Sequence, residues 1–176
     1  FHFPTEIIKS KFLVNSKLNY AENLLSKSDN TKAVTFISES GYREEKSWRE
    51  LNNNTLKLIK FFKDNKIKEN DRIAAYTSNQ IETVESFIAT SAIGAIWSSC
   101  SPDFGTQGVM ERFSQIRPKL LIITDRYYYN GKEINVLERL PTILKKIKSI
   151  KNVLIISYPN KKNLKQKEIK GIKIFY

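Results

Sequence analysis

The sequence predicts an α/β fold with a largely parallel sheet flanked by helices. Apolar segments of strand length alternate along the chain with amphipathic segments of about 10–15 residues, the pattern of repeated βαβ units. The segment Leu120–Thr124 begins with four consecutive apolar residues, and such runs are typical of parallel strands buried on both faces. Sheets of this kind bind ligands at the carboxyl ends of their strands, so the loops at those ends are the candidate site.

The N-terminal part of the chain predicts a short helix followed by a β-hairpin. Leu18–Leu25 has the pattern of a short helix or turn, and Ala33–Ser38 has the alternation of a strand. Glu39–Tyr42 is a turn sequence in which Gly41 can adopt a positive φ, and Arg43–Ser47 is the predicted returning strand.

Four longer amphipathic segments follow, each with a recognisable start, end or apolar face. Ser47 and Glu50 have the spacing of a capping box. We expect Thr77–Asn79 to supply the N-cap of the second helix, Pro118 to end the third, and Pro141 to lie near the start of the fourth. The predicted apolar faces are Leu51, Thr55, Leu58, Ile59 and Phe62; Ile81, Val84, Phe87 and Ile88; Val109, Phe113 and Ile116; and Leu137, Leu140, Leu144 and Ile147.

The remaining segments predict the strands of the sheet. They are Arg72–Tyr76, Ala95–Ser98, Leu120–Thr124, Val153–Ser157 and Ile172–Phe175, and we expect Ala95–Ser98 to be buried. The connections around 77–79, 98–105 and 125–132 follow strands and are therefore expected to border any site. The polar, lysine-rich stretch Tyr158–Gly171 predicts a long loop or a boundary.

The net charge of +12 invites comparison with nucleic-acid-binding proteins. Residues 1–131 carry a net charge of +3 and residues 132–176 carry +9, and 23 of the 30 basic residues are Lys. Specific nucleic-acid binders use arginine forks as well as lysine, so a solvated lysine surface is the favoured interpretation and no nucleic-acid partner is expected. The alternative is a basic nucleic-acid-binding module that combines the lysines of 132–173 with Tyr127–Tyr129.

Several chemistries are excluded by what the sequence contains. One cysteine cannot form an internal disulfide or a cysteine metal cage, and the single His2 is poorly placed for a catalytic triad. Neither glycine-rich phosphate-loop pattern occurs, and Glu44 and Glu45 are interpreted as a solvated pair. We therefore assign no catalytic residue and no metal ligand.

The sequence gives no sign of a membrane segment or a secretory leader. No apolar run reaches the roughly 18 residues of a membrane helix, and no basic-then-apolar leader precedes the body of the chain. We expect no membrane partner and a cytoplasmic location. Because the chain starts at Phe1, we also expect a fragment or a processed product.

Two loops carry the residue types that could bind a ligand. Gly94–Gly105 offers the hydroxyls of three serines, with Asp103 as a predicted cap of the next helix and Cys100 as a structural thiol. Tyr127–Lys132 offers three aromatic rings that can stack on a flat ligand, and Gly131-Lys132 can bring an ammonium to a phosphate. The alternatives are a structural strand-to-helix connection for the first loop and an exposed loop with packed tyrosines for the second.

Three segments resemble signatures of a known enzyme family. Leu18–Leu25, with the sequence LNYAENLL, is similar to the N-terminal signature of the acyl-CoA synthetase branch of the adenylate-forming (AMP-binding) ligases. The run Ile96–Gly105, with the sequence IWSSCSPDFG, is long and unusual, and together with Tyr129–Lys132 it resembles the acetoacetate-activating members of that branch. The resemblance covers the chain from about Leu18 to Ser157.

This resemblance implies an ATP-dependent, AMP-forming acid–thiol ligase and part of its large N-terminal domain. Such an enzyme converts acetoacetate to an acyl-adenylate with ATP and Mg²⁺ and then transfers the acyl group to coenzyme A. An acetyl- or propionyl-CoA synthetase-like ligase is the alternative within the family. In domain terms, 1–28 would be the N-terminal acetyl-CoA-synthetase-like segment, and 29–176 would be the first, incomplete part of the AMP-binding domain.

The resemblance also implies a coenzyme A contact within this chain. In the acetyl-CoA branch, an Arg-x-Gly-Arg segment holds the phosphates of the coenzyme, and it matches Tyr129, Asn130, Gly131 and Lys132 here. Lys132 keeps the charge without the bidentate fork, and Tyr129 keeps an aromatic ring and a hydroxyl. The other implied coenzyme contacts are Ser101, Pro102 and Asp103.

The family's phosphate loop and adenylation lysine have no counterpart in these residues. We therefore expect that the rest of its own chain completes the site and that the fragment alone is inactive.

Overall fold

The fold is built around one six-stranded sheet. A computed structural model describes residues 7–159, 168–169 and 171–175. The sheet has the strand order β4-β3-β5-β8-β10-β9, in which the first five strands are parallel and β9 is antiparallel to β10. The ten strands of the described residues are β1 (Lys32–Ile37), β2 (Arg43–Ser47), β3 (Arg72–Tyr76), β4 (Ile96–Cys100), β5 (Leu120–Thr124), β6 (Arg126–Tyr129), β7 (Lys132–Asn135), β8 (Asn152–Ile156), β9 (Glu168–Ile169) and β10 (Ile172–Phe175). The predicted α/β class is confirmed.

Helices cover both faces of this sheet. The α-helices are α1 (Tyr20–Leu24), α2 (Trp48–Asp64), α3 (Ile81–Ala92), α4 (Thr106–Ile116) and α5 (Leu140–Lys146). Successive residues of a strand point to opposite faces, so Ile73 and Ala75 pack with α2 and α3 while Ala74 and Tyr76 pack with α4 and α5. The central strand β5 is buried at all five positions, as its apolar run predicts. Within the described residues no helix is long and apolar enough to cross a bilayer.

The N-terminal elements form as the sequence predicts. Asn19 caps α1 through its side chain, and β1 and β2 form an antiparallel hairpin in which Gly41 has a φ of +81°. The capping box is complete: the Ser47 hydroxyl accepts from the Glu50 amide, and the Glu50 carboxylate accepts from the Ser47 amide. The apolar sides of α1, α2 and α3 close a small core over this hairpin.

An ion-pair cluster that the sequence pattern does not reveal joins the hairpin to the helices. Lys46 Nζ lies 2.9 Å from Glu82 and 3.2 Å from Glu85, and the Asn54 amide donates to Glu85 at 2.8 Å. Burial raises the pKa of Glu85, which is 3% exposed. Glu44 and Glu45, predicted to be a solvated pair, differ in burial. Glu45 is exposed and pairs with Lys32 at the surface, whereas Glu44 is partly buried.

Three predictions, one about β4 and two about helix caps, are wrong. β4 is an edge strand paired only with β3, so of its five residues only Cys100 is buried. The N-cap of α3 is Gln80, not a residue of 77–79, and no side-chain bond caps it. The N-cap of α4 is Gly105, because Asp103 instead accepts a hydrogen bond from the Ser101 hydroxyl.

The segment 125–132, predicted to be a loop, is instead a β-hairpin. β6 and β7 pair across the turn Asn130-Gly131, whose φ values are +49° and +71°. Two successive residues at positive φ define the tight turn that matches the twist of hairpin strands, and Asn-Gly is its strongest sequence signal. The hairpin follows directly after the carboxyl end of β5.

The stretch Tyr158–Gly171, predicted to be a loop or a boundary, is only partly described. Glu168–Ile169 forms β9 against β10, so this stretch contains a short strand. Residues 160–167 and 170 lie outside the described residues, as does His2. The predicted proline positions in α4 and α5 are confirmed: α4 ends before Pro118, and Pro141 lies in the first turn of α5.

Candidate functional site

The three predicted connections meet at one cavity beside the carboxyl ends of the parallel strands. This cavity, about 580 Å³ in volume, is bordered by residues of 77–79, 99–103 and 127–129. Its lining also includes Tyr158, which follows β8, Phe36–Glu39 of the first hairpin, Trp97, and three residues of α3, namely Thr83, Val84 and Phe87. The backbone amide of Thr77 donates to the Cys100 carbonyl at 3.3 Å, which joins two of the connections directly.

Two hydroxyls in the wall of this cavity lack partners among the described residues. Thr77 is 5% exposed, and its Oγ1 makes no hydrogen bond. The Oγ of Ser78, equally shielded, also makes none. Buried polar groups are normally satisfied, so these two buried hydroxyls are exceptions among the residues that border the cavity.

The loop 101–105 presents a compact polar cluster to the cavity. The Ser101 hydroxyl donates to Asp103 Oδ2 at 2.8 Å, and the Asp103 amide lies 3.3 Å from the Ser101 Oγ. Burial and the nearby Asp103 carboxylate raise the pKa of Tyr127. Asp103 therefore lies close to the β6–β7 hairpin and does not cap α4.

The hairpin places its aromatic and basic residues by strand alternation. Tyr129 and Lys132 are cross-strand partners beside the turn, so their side chains share one face of the hairpin, the face of Tyr127. Tyr128 points to the other face, where it packs on Tyr158 with ring centroids 5.1 Å apart and donates to Glu133 at 2.5 Å. Tyr129 is 63% exposed and remains available for stacking.

Asp125 holds the base of the hairpin, and sequence reasoning missed it. This residue is 2% exposed; its Oδ1 accepts from the Tyr158 amide at 2.8 Å and its Oδ2 from Arg126 Nε at 3.1 Å. The Val136 amide donates to its carbonyl, which closes the far end of the hairpin. A polar residue directly after a fully buried strand was the available signal.

The loop 101–105 also receives hydrogen bonds from outside the cavity. Arg139 Nη1 donates to the Pro102 carbonyl at 2.8 Å and to the Phe104 carbonyl at 3.0 Å. The Tyr76 hydroxyl bonds the same two carbonyls and accepts from Arg139. Sequence reasoning missed both residues because they are 28 or more positions from Phe104 along the chain, and only the folded structure brings them to the loop.

Cys100 is a structural residue in this arrangement. Its side chain belongs to the core beneath α4, and burial raises the pKa of its thiol. A second cavity of about 570 Å³ lies beyond it, where Arg112 stacks over the Phe104 ring at 4.5 Å. A protonated, buried thiol is a poor nucleophile, as the sequence interpretation expects.

The predicted site residues divide into two groups. Ser101, Pro102, Asp103 and Tyr129 line the cavity. Asn130, Gly131 and Lys132 form the exposed end of the hairpin and do not line it. Among residues 7–159, 168–169 and 171–175, no group of three or more His, Cys, Asp or Glu side chains could hold a metal ion.

The described lysines of the basic C-terminal region lie mainly at the other end of the sheet. A cavity at that end is bordered by Lys146, Lys148 and Lys151. It is also bordered by Asp71, which directly precedes β3, and by Arg72, the first residue of β3. The three tyrosines lie at the carboxyl edge, so the aromatic residues and these lysines do not share one groove. A stacking platform for nucleic acid requires both in the same groove.

Known proteins resemble this chain in sequence and in structure. Acetoacetyl-CoA synthetase from Gallus gallus is 42% identical over 145 residues, and that from Rhizobium meliloti (strain 1021) is 40% identical over 141 residues. These alignments cover 81% and 80% of this chain, which spans about a fifth (22%) of each relative. The structure of acetoacetyl-CoA synthetase from Streptomyces lividans matches with a TM-score of 0.78 and 27% identity, over 89% of this chain and 24% of that one. The family model described as AMP-binding enzyme matches residues 22–173, and the chain therefore belongs to the AMP-binding enzyme family.

Proposed function

We propose that this chain forms one wall of the coenzyme A cleft in an ATP-dependent, AMP-forming acetoacetate–CoA ligase. In that reaction the carboxylate of acetoacetate attacks the α-phosphorus of ATP and pyrophosphate leaves. The thiol of coenzyme A then attacks the acyl carbonyl of the adenylate, loses its proton, and AMP leaves with the electron pair of the broken C–O bond. The acid is proposed from the names of the relatives, acetoacetyl-CoA synthetases at about 40% identity.

One observation carries the proposal: the loop 101–105 and the β6–β7 hairpin border the same cavity at the carboxyl edge of the sheet. Both segments resemble coenzyme-facing segments of the family. Thr77 and Ser78, whose buried hydroxyls have no partner among the described residues, border the same cavity. The cavity is thus suited in position and in chemistry to part of a large, polar cofactor.

The exposed end of the hairpin is suited to the phosphates of the coenzyme. Lys132 and Tyr129 share one face of the hairpin, so an ammonium and an aromatic ring lie side by side. The ammonium would pair with a phosphate as a point charge and the ring would stack on a flat group. Asn130 and Gly131 form the tight turn between them, and Ser101, Pro102 and Asp103 form the facing loop.

The proposal assigns no catalytic residue or metal ligand to this chain. Mg²⁺, when bound with ATP, would neutralise phosphate charge during adenylation, and other parts of the longer protein would hold it. In domain terms, we infer that 1–28 is an N-terminal segment and 29–176 is the first part of the AMP-binding domain. The substrates are small molecules, ATP and coenzyme A among them, so a cytoplasmic location is proposed as well.

The test uses the complete gene product that contains this chain. With acetoacetate, ATP, Mg²⁺ and coenzyme A, we expect acetoacetyl-CoA, AMP and pyrophosphate in equal amounts. Acetate and propionate, offered separately, test the alternative acid specificity: a higher kcat/KM for either would replace acetoacetate as the substrate. Absence of any thioester with all three acids would refute the ligase.

A further inference from the structure

The loop 101–105 is fixed from behind by two side chains that do not touch the cavity. Arg139 lies in a 3₁₀ turn (Leu137–Arg139) just before α5, and Tyr76 is the last residue of β3. Both donate to the carbonyls of Pro102 and Phe104, at distances of 2.5–3.1 Å. Ser101 to Asp103 line the cavity, whereas Tyr76 and Arg139 do not.

The two side chains form a single unit because each satisfies the other. A tyrosine hydroxyl has one hydrogen, so it can donate to one carbonyl at a time while it accepts from the Arg139 guanidinium. Nη1 of Arg139 has two hydrogens within reach of three acceptors, the two carbonyls and the Tyr76 hydroxyl, so the two side chains share the carbonyls between them. Burial raises the pKa of Tyr76, which favours the protonated hydroxyl that donates to the loop.

The fixed segment lies where the two cavities meet. Its Ser101–Asp103 part lines the cavity of about 580 Å³, and Phe104 lines the second cavity, of about 570 Å³, beneath Arg112. A shift of the Pro102 and Phe104 carbonyls would therefore move the walls of both cavities at once. A small displacement of such a loop can weaken the binding of the ligand that it contacts, even when the mutated residue lies outside the binding site.

We infer that Arg139 and Tyr76 are positioning residues that hold the loop 101–105 in its coenzyme-binding conformation. This inference rests on the proposed function, and it concerns only the second half-reaction. Neither residue lines either of the two cavities, and the proposed function assigns no adenylation residue to this chain, so adenylate formation is expected to be unaffected.

The first experiment separates the two half-reactions in the complete gene product. Arg139→Met and Tyr76→Phe are expected to raise the KM for coenzyme A by about 10- to 100-fold, with acetoacetate-dependent ATP–pyrophosphate exchange unchanged. Arg139→Lys keeps the charge but not the fork and should restore part of the loss. Lys146→Met, which removes an exposed cation from the following helix, is the matched control and should change neither quantity.

A second readout does not depend on activity. Hydrogen exchange of the segment 98–108 should become at least about 10-fold faster in Arg139→Met than in the wild type, while β5 stays protected. Equal exchange in this segment, or an equal loss in both half-reactions, would overturn the inference. If the wild-type protein forms no thioester, the proposed function fails, and the exchange measurement still decides whether Arg139 holds the loop.

Discussion

Replacement of Asp125 should loosen the junction between β5, β8 and the hairpin. Its carboxylate is buried and accepts the Tyr158 amide on one oxygen and Arg126 on the other. Asp125→Ala removes both bonds and leaves the Tyr158 amide without an acceptor. Asp125→Asn keeps a carbonyl oxygen for that amide but loses the charge facing Arg126.

The expected magnitude follows from those two bonds. An unsatisfied buried amide costs about 1–3 kcal/mol, and a hydrogen bond to a charged group contributes about 1.5–3 kcal/mol. The local free energy of opening should therefore fall by roughly 3–5 kcal/mol in Asp125→Ala, and by about 1–2 kcal/mol in Asp125→Asn. Arg126 retains its second partner, Glu133, at 2.8 Å, which limits the loss on that side.

Native-state hydrogen exchange of the segment 152–159 measures this quantity directly, even in a protein of several domains. For Asp125→Ala we expect exchange to accelerate by about two to three and a half orders of magnitude, since 1.4 kcal/mol is tenfold. The control is Glu45→Ala, which removes a surface carboxylate paired with Lys32 and Arg43 and should leave this segment unchanged. An acceleration below about fivefold, or equal effects of the alanine and asparagine variants, would refute the reasoning.

Three further predictions concern single residues of the complete gene product. Lys132→Ala should raise the KM for coenzyme A and leave pyrophosphate exchange unchanged; an equal fall in both would reject its phosphate role. Gly131→Ala should destabilise the protein by about 1–2 kcal/mol because the φ of Gly131 is +71°. Gly108→Ala should stabilise it by about 0.5–1 kcal/mol, because Gly108 lies inside α4 and its new methyl group would make only an ordinary contact. Unfolding midpoints measure both effects, and effects of the same sign would contradict this reasoning. Burial opposes ionisation of Asp71, yet the hydrogen bonds from Lys119 and the Lys68 amide, together with the charges of Lys119 and Arg72, outweigh it and lower the pKa of Asp71. Asp71 therefore stabilises the fold above its unfolded pKa of about 3.9, and that stability is lost as the pH falls through its folded pKa. Asp71→Asn should therefore flatten the loss of unfolding midpoint as the pH falls below about 4, and an unchanged slope there would exclude the ion pair as its source.

Local patterns predicted the elements whose signals are complete within a few residues. The capping box of Ser47 and Glu50, the buried strand β5 and the end of α4 at Pro118 all formed as expected. The hairpin β6–β7 was missed although its Asn130-Gly131 turn is itself a local signal. The burial of β4 was overestimated because an apolar segment does not reveal whether its strand lies at the centre or the edge of a sheet.

The sequence predicted the loops that border the candidate cavity, but not the residues that hold those loops in place. Ser101–Asp103 and Tyr129 line one cavity, as the rule for carboxyl ends of parallel strands suggests. Arg139 gives no such signal, because an arginine beside a helix start has many possible partners. Its role depends on the approach of carbonyls 35 and 37 positions away, which only the folded chain determines.

The sequence by itself determined the α/β class, the order of most elements and the family resemblance, because hydrophobic period, caps and turn residues act over short distances along the chain. The tertiary structure decided which polar groups meet: Asp125 with the Tyr158 amide, Tyr127 with Asp103, and Arg139 with the loop 101–105. These contacts join residues that are distant in the chain. They depend on strand order and on the path of the hairpin, neither of which a local pattern encodes.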